Sequence, residues 1–280
     1  MTKPIIGDAL TAVAAHLRCP RCAAARCEAT TDGLHCRGCG ETFPRTDGVL
    51  DLAPAGDTSP SGDRPYEGSL AAVYGWMMSS PTRQRLDSWL LGLNVRQYYR
   101  EVATLLERLG QGPHLEVPCG NLPFLGSTSA YRDTGPWIFA DLSRAMLDQL
   151  ARRLGPGDTA GHLLLRADVC GLPIGDGQVG GVVSLFGLHC FRDGDAVFAE
   201  WRRCLRPGGR LVLSTLTGDG PALSRRYYRF NQRDGSFAPA RTAAEVIALA
   251  ERNGFVIEEH RRLGSVLLVA ASLREGGSTS

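Results

Sequence analysis

Apolar residues recur with two different periods in the second half of the chain. Short unbroken apolar runs predict four buried strands, at His114–Val117, Trp137–Ala140, Val179–Leu185 and Leu211–Leu216. Between them, residues 143–154 and 195–205 repeat apolar side chains every three or four positions, which predicts helices. Strands that alternate with helices build a doubly wound, mostly parallel sheet. We therefore expect an α/β fold whose ligands bind at the carboxyl ends of the strands.

The first half of the chain divides into three parts. Residues 53–65 are dense in Pro, Gly, Ser and Asp and show no apolar periodicity, which predicts a linker. From Tyr66 to Leu109 the apolar spacing predicts two or three amphipathic helices. These divisions predict a small domain at residues 1–52 and a larger one at residues 66–280.

The composition is that of an ordinary globular protein, with 43% hydrophobic and 21% charged residues. The formal net charge of +2 gives no strong field for gathering nucleic acid or an anionic membrane, so a polyanionic partner would need a local patch. The amino-terminal residues lack a secretory signal, and charged residues or glycine interrupt every apolar stretch. We expect a cytoplasmic protein without a membrane partner.

Four cysteines fall in two pairs with two residues inside each pair, at Cys19, Cys22, Cys36 and Cys39. Such pairs place four thiolates around one point, which is the tetrahedral shell that Zn²⁺ prefers in structural sites. The spacing predicts a zinc ribbon. Cys27 and His35 lie close enough in sequence to replace a ligand, but a spare thiol and a strand histidine are the simpler interpretation.

Polar residues follow the predicted strands at the places where a ligand would bind. Gly120 lies in the loop after the first strand, and Asp141 ends the second strand, where a carboxylate can accept the hydroxyls of a ribose. Asp168 ends a third run, where it can accept from an exocyclic amine. A nicotinamide-binding loop is not indicated, because G-x-G-x-x-G is absent after the first strand.

With these motifs, the chain resembles class I S-adenosylmethionine-dependent methyltransferases over about residues 66–272. The matching motifs are LEVPCG, FADLSRAML, ADVCGLP, SLFGLHCF and LRPGGRLVL, in that order. The resemblance implies a Rossmann-like fold with an amino-terminal helical lid. It also implies a set of cofactor-binding residues: Tyr74, Glu116, Pro118, Gly120, Asp141, Leu142, Met146, Asp168, Val169 and Phe186. Glu116 and Gly120 would face the methionine part of the cofactor, and Asp168 with Val169 would hold the adenine edge.

Two positions depart from that family's glycine pattern. Pro118 fixes the turn, whereas Leu122 puts a branched side chain where the aminoacyl end of the cofactor normally lies. Either the turn is displaced or the pocket is altered. A non-methylating protein, such as a cyclase or a ligand-binding protein, therefore stays an alternative.

His189, just past the fourth strand, is the candidate base, because a neutral imidazole can take a proton from an acceptor. Tyr228 is a second candidate contact to the acceptor. The strip Arg225–Arg233 carries four arginines and three aromatic residues. It favours closure over a small-molecule substrate. Contact with RNA is the alternative, and the front end's likeness to zinc ribbons of tRNA and rRNA methylation proteins supports an rRNA or tRNA base methyltransferase by analogy.

Overall fold

The computed structural model describes residues 7–24, 27–53, 88–154, 161–233 and 235–274. Most of the predicted linker and the first part of the predicted lid, including Tyr74, lie outside these residues.

Seven α-helices and eleven strands have both of their ends within the described residues, and residues 88–90 are also helical. The helices are α1 Gly7–Val13, α2 Val95–Glu107, α3 Ala130–Asp133, α4 Arg144–Arg153, α5 Gly194–Cys204, α6 Ala222–Arg233 and α7 Ala243–Arg252. The strands are β1 Cys27–Thr30, β2 Gly33–Cys36, β3 Thr42–Thr46, β4 Val49–Asp51, β5 His114–Glu116, β6 Trp137–Asp141, β7 His162–Arg166, β8 Val179–Leu185, β9 Leu205–Leu216, β10 Phe255–Leu263 and β11 Val266–Leu273.

All eleven strands belong to one sheet in the order β1-β2-β3-β4-β7-β6-β5-β8-β9-β11-β10. Strands β7, β6, β5, β8 and β9 are parallel, and β11 is antiparallel to both of its neighbours, β9 and β10. The chain runs outward from β5 through β6 to β7 and then returns to β8 on the other side of β5. The strand order therefore reverses at β5, which is where an open α/β sheet binds its ligands. The predicted doubly wound fold is confirmed.

The front end of the chain joins this sheet. Strand β4 pairs in parallel with β7, with Val49 opposite Leu164 and Asp51 opposite Arg166. Leu10 and Leu34 of the front end are buried in the same apolar cluster as the strands of the larger sheet. The predicted boundary at residue 52 thus marks a position along the chain and does not separate two cores.

At two places the residues favour a local structure that the fold does not have. Pro207, Gly208 and Gly209 favour a tight turn between a helix and the next strand, but β9 starts at Leu205 and includes them, with a shift of register against β8 before Arg210. The Gly120 loop favours a helix amino terminus directly after it, where an anion would bind. Turns occupy residues 120–127 instead, and the four-residue helix α3 begins only at Ala130.

None of the helices in the described residues has the length and apolar character needed to cross a bilayer.

Candidate active site

The loop after β5 leaves open space at the point where the strand order reverses. Gly120 adopts a φ of +53°, a conformation that glycine tolerates without strain. A Cβ built on Gly120 would meet no heavy atom of the described residues within 4 Å. The Gly120 amide donates to Oδ2 of Asp141 at 2.8 Å. The loop thus holds the acid of the next strand beneath an unfilled space.

Asp141 is the central acid of this edge, and its side chain is fixed from two sides. The Ser143 amide donates to Oδ1 at 2.8 Å, opposite the bond from Gly120. Burial raises the pKa of Asp141 to about 6, although the backbone donors partly oppose the shift. Each carboxylate oxygen retains lone pairs for a further donor. A buried acid of this kind suits a diol such as that of a ribose.

Asp168 lies beside this acid at the end of β7. The Ala167 amide donates to the Asp141 carbonyl at 3.1 Å, so the two strand ends are joined. Oδ1 of Asp168 accepts from the Cys170 amide at 2.7 Å, which forms a tight turn after the strand. The structure therefore brings together the two acids that the sequence predicted.

The predicted cofactor residues differ in their accessibility. Pro118, Gly120, Leu142 and Phe186 are partly exposed, whereas Met146 and Val169 are buried beside them. One residue of this group, Gly187, was missed by sequence reasoning. A side chain at Gly187 would collide with Pro118, since its Cβ would lie 2.2 Å from Pro118 Cδ. Glycine in the fourth-strand motif is the sequence signal for this close approach.

Leu122 has no accessible surface, and its φ is +49°. It belongs to an apolar cluster with Tyr98, Phe124 and Phe139. No heavy atom of the described residues lies within 4 Å of a Cβ built on Gly120, so the Leu122 side chain does not occupy that position. Leu122 is thus part of the apolar core beside the loop.

Glu116 was predicted to face the methionine part of the cofactor. In the structure it is buried and accepts a hydrogen bond from the Tyr131 hydroxyl at 2.8 Å. Burial raises its pKa to about 8, and the bond from Tyr131 opposes the shift. Glu116 is thus a protonated, interior carboxyl at neutral pH.

An aromatic group adjoins the loop on the β8 side. The His189 ring lies 4.5 Å from that of Phe237 and 6.4 Å from those of Phe186 and Tyr228. Phe237 was missed by sequence reasoning, because it lies in a turn region without periodicity. The predicted His189 and Tyr228 therefore lie together in an aromatic environment.

The front end brings its four predicted thiols together. The ligand atoms of Cys19, Cys22, Cys36 and Cys39 all lie within 4.8 Å of one another. The closest sulfur pairs are 3.6 and 3.7 Å apart, which matches the edge of about 3.8 Å in a tetrahedron with metal–sulfur bonds of about 2.3 Å. Backbone hydrogen bonds from Cys39 and Gly38 lower the pKa of Cys36. This donor set fits one tetrahedral metal ion.

Two arginines connect the front end to the candidate cofactor edge. Arg166 Nη1 contacts Asp51 Oδ2 at 3.1 Å, while its Nε donates to the Leu142 carbonyl at 3.1 Å. Arg144, at the start of α4, donates to the Thr46 carbonyl at 3.0 Å. Neither link was visible in the sequence, because each joins residues far apart in the chain.

Comparison with known proteins identifies a methyltransferase domain in this part of the chain. Residues 115–213 match the family described as "Methyltransferase domain". A malonyl-[acyl-carrier protein] O-methyltransferase from Alcanivorax borkumensis is 33% identical over 172 residues, which cover 61% of this chain and 57% of the relative. A ubiquinone/menaquinone biosynthesis C-methyltransferase from Saccharophagus degradans is 32% identical over 116 residues, covering 41% of this chain and 45% of the relative. The chain thus spans about half the length of the curated relatives it matches.

The fold is also shared with a solved structure. The geranyl diphosphate C-methyltransferase of Streptomyces coelicolor, solved with Mg²⁺, geranyl diphosphate and S-adenosyl-L-homocysteine, has a TM-score of 0.53 at 17% identity. The match covers 70% of this chain and 87% of that one. The strand order, the acid at the end of β6 and these matches agree. Residues 115–213 thus match a methyltransferase domain, and the larger sheet has the Rossmann-like fold of S-adenosylmethionine-dependent methyltransferases.

Proposed function

We propose that the protein transfers a methyl group from S-adenosylmethionine to a small molecule with an apolar or conjugated ring. The observation that carries this proposal is the buried carboxylate of Asp141 beneath the open space at Gly120. When bound, the cofactor supplies an electrophilic methyl group on its sulfonium sulfur. The chain's own residues bind and orient the two reactants, which is the main requirement of such a displacement.

On the cofactor side, Asp141 accepts the two ribose hydroxyls with the lone pairs that Gly120 and Ser143 leave available. Asp168 accepts from the adenine amine, and the Val169 amide lies next to it in the chain. The remaining contacts keep the roles that the resemblance implies: Glu116 and Gly120 on the side of the methionine part, with Pro118 fixing the turn, and Leu142, Met146 and Phe186 against the adenine and its wall.

On the acceptor side, the aromatic group of Phe186, His189, Tyr228 and Phe237 favours a ring that packs edge to face. The substrates named for similar proteins, malonyl-[acyl-carrier protein] and geranyl diphosphate, are likewise not nucleic acids. These names support a small molecule over RNA. The packing of Leu122 in the apolar core, away from the Gly120 position, supports a methylating protein over the non-methylating alternative.

His189 and Tyr228 remain our candidates for contact with the acceptor. Burial lowers the pKa of His189 to about 3, so the ring is neutral at pH 7. The Leu216 amide donates to Nδ1 at 3.5 Å, which leaves the ring proton on Nε2. We therefore favour a hydrogen bond from Nε2 to an acceptor oxygen over the predicted role as a base. Burial raises the pKa of Tyr228 to about 12, so its phenol stays protonated.

The four-cysteine cluster is proposed to hold one structural Zn²⁺, because four thiolates close the shell and leave no position for a substrate. This role requires a compartment that keeps thiols reduced, in agreement with the expected cytoplasmic location.

The proposal is tested by calorimetry with S-adenosylmethionine and S-adenosylhomocysteine. Transfer of a labelled methyl group to a panel of hydroquinones, phenols and acyl thioesters is then measured. We expect micromolar binding of both nucleosides and label in at least one ring-bearing acceptor. Absence of heat with either nucleoside would overturn the proposal, and label confined to the acyl thioesters would overturn the acceptor class.

A further inference from the structure

Helix α6 carries the arginine strip, and its arginines face outward. Ser224 and Tyr228 form the buried side of the helix, with Tyr228 against the His189 ring. Arg225, Arg226, Arg229 and Arg233 are exposed, and α6 contains no acidic residue. Within the described chain, none of the four arginines forms an ion pair. The arginines thus lie on the side of α6 opposite the His189 ring, and closure of the strip over a substrate stays a prediction.

The same exposed side also presents apolar side chains. Leu223 and Phe230 are seven residues apart, so they lie on one side of the helix two turns apart, and Phe230 is 68% exposed. Arg226, Arg229 and Arg233 form a neighbouring strip. The outer side of α6 thus has an apolar edge beside a cationic one.

Trp89, which is also 68% exposed, belongs to a segment that packs against the start of α6. Ser265 joins the two, since its hydroxyl contacts both the Leu91 carbonyl and the Ser224 hydroxyl. Of the four large apolar side chains that are exposed in the described residues, three therefore lie in or beside this helix. We call Trp89, Leu223, Phe230 and the four α6 arginines the α6 surface.

We propose that the α6 surface docks on an anionic lipid surface. A helix with Trp, Phe or Leu along one edge and arginine along the next has the chemistry of an interfacial helix, whose apolar side chains enter the headgroup region while its cations meet anionic headgroups. A polyanion without apolar character, such as RNA, would leave Leu223 without a matching contact. The net charge of +2 does not oppose this docking, because the patch is local.

The test uses the full chain as purified and flotation with two kinds of vesicle. One is phosphatidylcholine alone, and the other contains 30% phosphatidylglycerol. We expect binding only to the second, weakened by salt. R226Q/R233Q should lower the partition coefficient by about 25-fold, at roughly fivefold for each charge. F230S should lower it by about tenfold. W89F should reduce fluorescence quenching by brominated lipid.

Matched controls remove the same chemistry elsewhere. R152Q/R202Q deletes two exposed arginines from α4 and α5, and V256S deletes the fourth exposed apolar side chain, from β10. Both should bind vesicles like the unmodified chain. The proposal is overturned if anionic vesicles are not bound, or if the controls lower binding as much as the α6 variants. A third outcome also overturns it: total RNA is bound more tightly than anionic vesicles, and R226Q/R233Q abolishes the RNA binding. In that outcome F230S leaves vesicle binding unchanged. Vesicle binding does not depend on methyl transfer, so its failure is distinct from that of the proposed function.

Discussion

The four-cysteine cluster and the cofactor edge of the sheet are assembled in opposite ways. The cluster takes all its thiols from one stretch, Cys19–Cys39, whereas the edge takes Gly120, Asp141 and Asp168 from the ends of three strands. The cluster can therefore form from local turns, but the edge exists only after β5, β6 and β7 have paired. Because β4 pairs with β7, damage to the cluster should spread to the edge, while damage to the edge should leave the cluster intact.

The largest expected effect comes from removing the metal. Cys36→Ser, or a strong chelator, should lower Tm by about 10 °C or more, because metal binding supplies much of the folding free energy of such a site and β4 belongs to the main sheet. Affinity for S-adenosylhomocysteine should fall as well. Differential scanning calorimetry, zinc analysis and titration calorimetry measure the three quantities.

Cys27→Ser is the control for this experiment, since Cys27 lies outside the four-thiol cluster. It should retain zinc and change Tm by only a few degrees. An equal loss of Tm in the two variants, or purification of the unmodified chain without zinc, would show that the cluster is not a structural metal site.

Asp141→Asn tests the opposite direction, from the edge to the cluster. Asparagine is neutral and has one acceptor oxygen, so it cannot replace the carboxylate that Gly120 and Ser143 hold for the two ribose hydroxyls. Loss of these two charge-assisted hydrogen bonds should weaken S-adenosylhomocysteine binding by about 100-fold or more, with zinc content unchanged. In the unmodified chain, affinity should fall below pH 6, because Asp141 then takes up a proton and loses acceptor capacity. Asp133→Asn, an exposed acid on α3, should bind normally. Binding that ignores both the substitution and the pH would remove Asp141 from the site.

Glu116→Gln tests the protonation state of the buried acid at the same edge. The folded pKa of about 8 exceeds the unfolded value, so between about pH 4.5 and 8 the folded state holds a proton that the unfolded state has lost. The free energy of unfolding should therefore fall as pH rises, by up to about 3 kcal/mol between pH 5.5 and 7.5.

Glutamine cannot ionise, so Glu116→Gln should flatten this slope in urea titrations at several pH values. The exposed Glu107→Gln should keep the slope of the unmodified chain. Identical pH profiles for the unmodified chain and Glu116→Gln would mean that Glu116 is ionised at neutral pH.

The contrast between the regions also explains what the sequence could predict. Cys19, Cys22, Cys36 and Cys39 follow from spacing alone, and the strand cores β6 and β8 follow from unbroken apolar runs. Asp141 and Asp168 were found because the ends of parallel strands share one edge. The Arg166–Asp51 pair was not predicted, because it depends on the pairing of β4 with the larger sheet. A strand of three residues is too short for its apolar periodicity to predict that pairing.

The smallest expected effect tests how the two regions communicate. Arg166→Gln removes the ion pair to Asp51 and the hydrogen bond to the Leu142 carbonyl. Because the Arg166 side chain is partly exposed, we expect the free energy of S-adenosylhomocysteine binding to weaken by about 1 kcal/mol, which is roughly a fivefold loss of affinity. Arg152→Gln is the matched control. If Arg166→Gln binds normally while Cys36→Ser does not, the coupling runs through the β4–β7 pairing and the shared core, and the arginine is only a surface contact.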